Sequence, residues 1–226
     1  VAQKQAGGRK TANGKDDDKV DTRPTPRTRI QKRNTEAILD AALDIFSTHG
    51  FSGATLDRIA EAARLSKPNL LYYFASKEAI HRALISETLD TWLAPLRELE
   101  PDGDPVEEIV AYALRKLDMA RAFPRESRFF AHEILQGAPR VLDIIEGPLR
   151  ELVDDKARLI AGWAEAGRIA AVDPHHLIFS IWATTQHYAD FDAQVRGILR
   201  PEGESHFEDA AAFLDTLYRR LLAPTA

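Results

Sequence analysis

The stretch Thr55-Leu56-Asp57-Arg58-Ile59-Ala60-Glu61-Ala62-Ala63-Arg64-Leu65-Ser66-Lys67-Pro68-Asn69-Leu70-Leu71-Tyr72-Tyr73-Phe74-Ala75-Ser76-Lys77 decides how this chain is read. Thr55 is placed to cap a short helix whose inward positions are Leu56, Ile59, Ala60 and Ala63, because a hydroxyl at that position accepts from a free N–H of the first turn. Arg64-Leu65 makes a tight turn. Ser66 then caps a second short helix, with Pro68 in its first turn, where the missing N–H costs little. Two short helices across a tight turn form a helix-turn-helix, whose second helix needs an apolar back and a polar front. Leu70 and Phe74 supply the back, while Ser66, Lys67, Asn69 and Tyr73 face the other way. Asparagine can read a base edge with both ends of its amide, and Lys67 and Lys77 suit phosphate. Thr55 offers a hydroxyl and the positive end of a helix to another phosphate. By pattern alone the same segment also fits three helices of some other bundle, its polar residues merely solvated.

Working outward, Ile38, Leu39, Ala42, Ile45 and Phe46 share one helix face, and Gly50 ends that helix. Upstream, residues 1–28 hold almost no large apolar group and cannot offset their chain entropy, so a disordered arm is expected there. Arg23, Arg27 and Arg29 at its end could lie along phosphates. Downstream, Ser76 caps a long helix running to about Leu99, and Pro101 to Pro105 breaks the pattern. Further helices are expected over 106–122, 125–136, 139–166 with a break near Gly147-Pro148, 175–194 and 207–222. No convincing strand appears. The expected fold class is all-α, with an arm (1–28), a helix-turn-helix domain (29–77) and an effector-binding and dimerisation domain (78–226).

Charge agrees with that division. The net charge is −5. Residues 23–77 carry nine Lys/Arg against five Asp/Glu, whereas residues 78–226 carry sixteen against twenty-six. A basic end on an acidic body suits local phosphate contact and argues against general coating of nucleic acid. The chain has no cysteine, which excludes disulfides and thiolate chemistry and fits a cytoplasmic location. No apolar run reaches the length of a membrane span. There is no phosphate-cradling glycine loop and no nucleophile elbow, and the His and carboxylate residues lack ligand spacing. Neither catalytic nor metal-binding residues are expected, and no cofactor.

Ser66-Lys67-Pro68-Asn69-Leu70-Leu71-Tyr72-Tyr73-Phe74-Ala75-Ser76-Lys77-Glu78 resembles the recognition-helix signature of the TetR family of repressors. Ala41-Ala42-Leu43-Asp44-Ile45-Phe46, Gly50-Phe51 and Thr55-Leu56-Asp57-Arg58-Ile59-Ala60 match the same family in order and spacing. The resemblance implies a homodimeric regulator bound to a double-stranded operator of two-fold symmetry. The expected DNA-contacting set is Arg33, Thr55, Ser66, Lys67, Asn69, Tyr72, Tyr73 and Lys77. Two departures stand out. Arg64 occupies the turn where the family usually has glycine, at a cost of about 1 kcal/mol if its φ is positive. Leu71 stands where the family commonly has tyrosine, so one hydroxyl contact is missing.

In the larger domain, Phe179, Trp182 and Gln186 fall at i, i+3 and i+7 on one helix face. A glutamine amide offers a donor and an acceptor that complement the lactam edge of a uracil-type ring, and an aromatic side chain can stack on that ring. The same residues equally suit a core or a dimer interface. Trp92-Leu93-Ala94-Pro95-Leu96, Leu159-Ile160-Ala161-Gly162-Trp163 and residues 173–191 resemble a pyrimidine-utilisation regulator within the TetR family. That implies uracil or thymine as effector, with Trp182 and Gln186 on the base. Tyr112, Phe130 and Glu133 are added by position. The alternatives are a TetR-type repressor answering an unrelated apolar or cationic effector, and a helical ligand-binding protein without DNA affinity. Ala210, Ala211, Leu214, Leu217, Tyr218 and Leu221 form an apolar stripe that either joins a four-helix dimer interface or closes the monomer core.

Overall fold

The structure, a computed structural model, describes residues 29–224. The expected arm over residues 1–28, with Arg23 and Arg27, lies outside the described residues. In chain order the helices are α1 (Arg29–Gly53), α2 (Leu56–Ala62), α3 (Lys67–Tyr73), α4 (Lys77–Arg97), α5 (Pro105–Ala122), α6 (Pro124–Leu135) and α7 (Leu142–Ile144). A π-helical turn (Ile145–Leu149) leads into α8 (Arg150–Glu165), followed by α9 (Pro174–Asp190), α10 (Asp192–Leu199) and α11 (Ser205–Leu222).

Local chemistry sets most of these boundaries. Thr55, Ser66 and Ser76 accept from the backbone N–H of Arg58, Asn69 and Ala79, starting α2, α3 and α4. Asp104 and Asp173 do the same for α5 and α9. Gly50 adopts φ 64, ψ 179 and breaks the regular part of α1, a conformation a side chain resists. Arg64 holds φ 57 in the turn between α2 and α3, so this non-glycine residue bears the strain that its position implied. Gly147 leaves helical dihedrals in the π-helical turn, ahead of Pro148.

Two boundaries differ from the periodicity. The first helix begins at Arg29, well ahead of Ile38, because its early turns lie outside the core and carry no apolar stripe to betray them. The helix expected over 175–194 stops at Asp190: Phe191 adopts φ −113, ψ 28 and α10 starts afresh. The ring of Phe191 stacks on His187 at 5.0 Å.

Packing follows from the apolar faces. α1 meets α2, α4 and α6, and α2 packs on α3. In the larger domain α5 is central and touches α4, α6, α9 and α11. Helix α6 therefore packs on α1 at one side and on α9 at the other. Its contact with α1 centres on Phe46 and Phe129, 5.8 Å apart, with His81 of α4 edge-on to both rings. The Arg125 guanidinium adds ion pairs to Asp40 and Asp44 of α1.

Candidate functional site

The first candidate surface is the outer face of α2 and α3. Leu70 is fully buried and anchors α3, leaving Ser66, Lys67, Asn69, Leu71 and Tyr72 exposed. Tyr72 is 71% exposed, and its ring stands edge-on to Tyr73 at 5.2 Å. The Tyr73 hydroxyl accepts from the Asn34 amide at 2.9 Å, tying α3 to α1. Lys67 donates to Asp57 at 2.9 Å, but both side chains are largely exposed. A pair so solvated holds its partners weakly, so Lys67 remains free to turn to a phosphate. Thr55 and Ser66 keep their hydroxyls at the N-termini of α2 and α3, where positive dipole ends accumulate. Arg33 is exposed on α1. The arrangement is a short polar helix carried on an apolar anchor, with donors along its rim.

Lys77 is a correction. Its ammonium donates to the carbonyls of Phe51 and Ala54, each at 2.8 Å, and sits 4.1 Å from the Phe51 ring centre. The Phe51 carbonyl also accepts from the Ala54 N–H at 3.3 Å, and the lysine closes the corner after α1 with its ammonium turned inward.

The second candidate site is a cavity of about 610 Å³ in the larger domain, walled by α4, α5, α6 and α9. That volume falls within the range of small-molecule sites, about 300–1,000 Å³. Trp182, Gln186 and Phe130 line it, together with aliphatic residues such as Leu89, Leu93 and Leu149. No hydrogen bond within the described residues engages the Gln186 side-chain amide. Trp182 is fixed from behind: its indole N–H donates to the Tyr112 hydroxyl at 2.6 Å. Asp190 also lines the cavity and accepts from Ser127 at 2.6 Å. Burial pushes the Asp190 carboxyl above the usual carboxylate range, against the opposing effect of the Ser127 hydrogen bond.

Residues 38–84 match the family described as "Bacterial regulatory proteins, tetR family", and residues 85–225 match "YcdC-like protein, C-terminal region". The chain belongs to the TetR family. It is 50% identical over 172 residues to the HTH-type transcriptional regulator RutR of Escherichia coli (strain K12), covering 76% of this chain and 81% of that protein. It is 32% identical to the A-factor receptor protein of Streptomyces griseus over 145 residues, 61% of this chain and 47% of that one. Among solved structures, AibR in complex with isovaleryl coenzyme A and operator DNA superposes with a TM-score of 0.68 at 22% identity, covering 85% of this chain and 100% of AibR. The putative transcriptional regulator SCO4942 from Streptomyces coelicolor gives 0.66 at 22% identity, covering 85% and 99%. These structural likenesses show the TetR fold, and RutR is by name an HTH-type transcriptional regulator. The chain is a TetR-type DNA-binding regulator, not an enzyme.

Within this TetR scaffold, three of the six expected effector contacts stand elsewhere. Tyr112 is buried behind Trp182 and acts on it rather than on the cavity. Phe179 is 47% exposed and lies beside Trp182 with ring centres 5.6 Å apart, outside the cavity lining. One helical turn separates them, and packing on α5 turns Trp182 inward and leaves Phe179 out. Glu133 is 2% exposed, but it faces α4 and the loop after α6 instead of the cavity. It accepts from the Arg140 guanidinium at 2.8 Å and from the Arg140 backbone N–H at 2.9 Å, and it stands 3.4 Å from His81. The Arg140 guanidinium in turn lies 3.5 Å from the Phe51 ring centre, a second cation on that ring beside Lys77. Lys116 and Trp92, absent from the expected set, do line the cavity. A lone lysine inside an amphipathic helix reads as a solvated position, so periodicity alone passes over it.

Proposed function

We propose that this TetR-family protein is a homodimeric repressor-type regulator of pyrimidine metabolism, working in the cytoplasm, whose hold on a two-fold-symmetric operator is set by uracil or thymine in the larger domain. The observation that carries the reading is the meeting of Trp182, Phe130 and the Gln186 amide on one cavity wall system. Flat aromatic rings and an amide are what a neutral lactam ring requires. A homodimer is supported by Phe179 on α9 and by Phe213 and Leu221 on α11, apolar side chains that remain 47%, 60% and 45% exposed. Such residues gather where a partner covers them.

Coupling to DNA runs through two elements. α6 lines the cavity and packs on α1, and α4 lines the cavity and is capped by Ser76, three residues after the end of α3. Two recognition helices in a dimer must sit about 34 Å apart to meet successive half-sites. An effector that favours one tilt of α4 and α6 by a few kcal/mol therefore shifts the population that binds operator. The individual DNA contacts proposed are Arg33, Thr55, Ser66, Lys67, Asn69, Tyr72 and Tyr73.

A thermal-shift titration with uracil and thymine tests the effector. Either base, well above its dissociation constant, is expected to stabilise the fold by a few kcal/mol, and Gln186→Ala to abolish the shift. Absence of any shift with both bases sinks the pyrimidine reading. The aliphatic part of the lining supports a second reading, a larger apolar effector, which a shift with medium-chain alcohols but neither base would favour.

A further inference from the structure

One wall of the cavity carries two buried donors whose hydrogen-bonding capacity is not filled. Lys116 on α5 is 2% exposed, lines the cavity, and makes a single 3.4 Å hydrogen bond, to the Trp92 carbonyl. Its ammonium lies 4.0 Å from the centre of the Trp92 ring. Among the described residues no carboxylate stands within ion-pair distance of it. The other titratable groups on the lining are Arg128 and His132 on α6 and Asp190 on α9, and no titratable residue of α4 or α11 lines the cavity. An ammonium has three protons to donate and is rarely buried without a counter-charge. Trp92, facing it from α4, lines the same cavity, and its buried indole N–H has no hydrogen-bond partner. Unused buried donors are scarce in native proteins, and a free indole N–H beside an ammonium with a single long hydrogen bond makes a site complementary to acceptor oxygens. Burial pushes the Lys116 amine down to about 7 by disfavouring its charged form, and an acceptor oxygen from a ligand would favour that form again.

We propose that Lys116 and the Trp92 indole N–H form an oxygen-recognising corner, so that the effector presents an electron-rich exocyclic oxygen, carbonyl or carboxylate, to the α4–α5 wall. This rests on the cavity being the effector site, and it deepens the reading above by naming a contact that selects for oxygen rather than for ring shape. The class of ligand is a planar ring bearing a conjugated oxo or carboxylate group. A purely hydrocarbon ring or a cationic amine leaves the Trp92 indole N–H unpaired and brings Lys116 no acceptor, and is disfavoured, since a buried donor facing no acceptor is costly.

The test compares uracil and benzoate, the second a planar oxygen anion with no lactam edge, by calorimetric titration of the full chain and of Lys116→Met and Trp92→Phe. Folding of each variant is checked by its circular-dichroism melt. Whichever probe the unaltered protein binds is expected to bind Lys116→Met about tenfold or more weakly, and Trp92→Phe several-fold more weakly. Binding of benzoate but not uracil, lost in Lys116→Met, keeps the oxygen corner while ending the pyrimidine reading. Should Lys116→Met fail to fold, Trp92→Phe decides alone. Binding of neither probe, or unchanged affinity in either folded variant, overturns the proposal.

Discussion

Lys67 and Lys77 carry the same charge at the two ends of one short segment, yet the fold leaves only Lys67 turned outward. Phosphate contact makes affinity salt-dependent in proportion to the charges neutralised. Lys67→Ala is therefore expected to reduce the slope of log affinity against log salt by about one, measured by fluorescence anisotropy on operator DNA. Lys77→Ala is expected to leave that slope unchanged and instead to lower unfolding stability by about 1–3 kcal/mol, because the Ala54 carbonyl loses its donor and the Phe51 carbonyl one of two. Equal effects of the two variants on the slope would return Lys77 to the DNA surface. Tyr112→Phe belongs at this scale too. It removes the acceptor of the Trp182 indole N–H and keeps the ring. The melt should lose about 1–2 kcal/mol, and uracil binding should weaken while the Gln186 side chain is untouched. A variant that melts and binds as before would show that Trp182 needs no positioning.

At the scale of elements, the join between the DNA-binding helices and the larger domain is a small polar cluster inside an aromatic shell. Glu133 on α6 holds Arg140, which covers the Phe51 ring near the end of α1, and His81 of α4 packs among Phe46, Phe51 and Phe129. The same α6 lines the cavity, so its displacement reaches Phe51 through two contacts. Glu133→Gln leaves a largely buried guanidinium without its counter-charge. A loss of about 3 kcal/mol is expected by denaturant unfolding, with weaker coupling between uracil and operator. Burial depresses the His81 imidazole from 6.5 to about 4, opposed by the Glu133 carboxylate. The folded protein then binds fewer protons than the unfolded chain across that interval. Stability is complete above about pH 6.5 and declines as pH falls toward about 4, by at most about 1.4 kcal/mol per pH unit. Unfolding curves collected through this range check the slope, and His81→Asn should flatten it.

For the whole molecule, the proposed function calls for two copies. Ala210, Leu214 and Tyr218 of the C-terminal stripe are consumed by the monomer's own core, where α11 packs on α5 and Tyr218 meets Thr184 of α9 at 2.9 Å. Phe213 and Leu221, on the outer side of α11, are left for a partner. Phe213→Glu places a charge where apolar contact is proposed. It is expected to yield a monomer by sedimentation velocity and to lose operator affinity by more than tenfold, while the monomer fold persists. An unaltered dimer would move the interface off α11. Among the described residues no helix is long and apolar enough to cross a membrane.

Local chemistry was enough to recover the helix-turn-helix. The caps at Thr55, Ser66 and Ser76, the break at Gly50 and the buried anchor Leu70 all depend on neighbours within a few positions, and neighbours are what a sequence displays. The strain at Arg64 was legible through the resemblance, because the family usually has glycine in that turn. The cavity was legible only in part. Trp182, Gln186 and Phe130 reach it, but whether a residue on an amphipathic helix faces a void, a core or a partner depends on helices far away in the chain. Tyr112 meets Trp182 across seventy positions, Glu133 turns to Arg140 and His81, and Lys116 becomes unusual only because packing strips its ammonium of water and counter-charge. Desolvation is a property of the assembled core, so the donors that await a ligand came into view with the packing of α4 against α5.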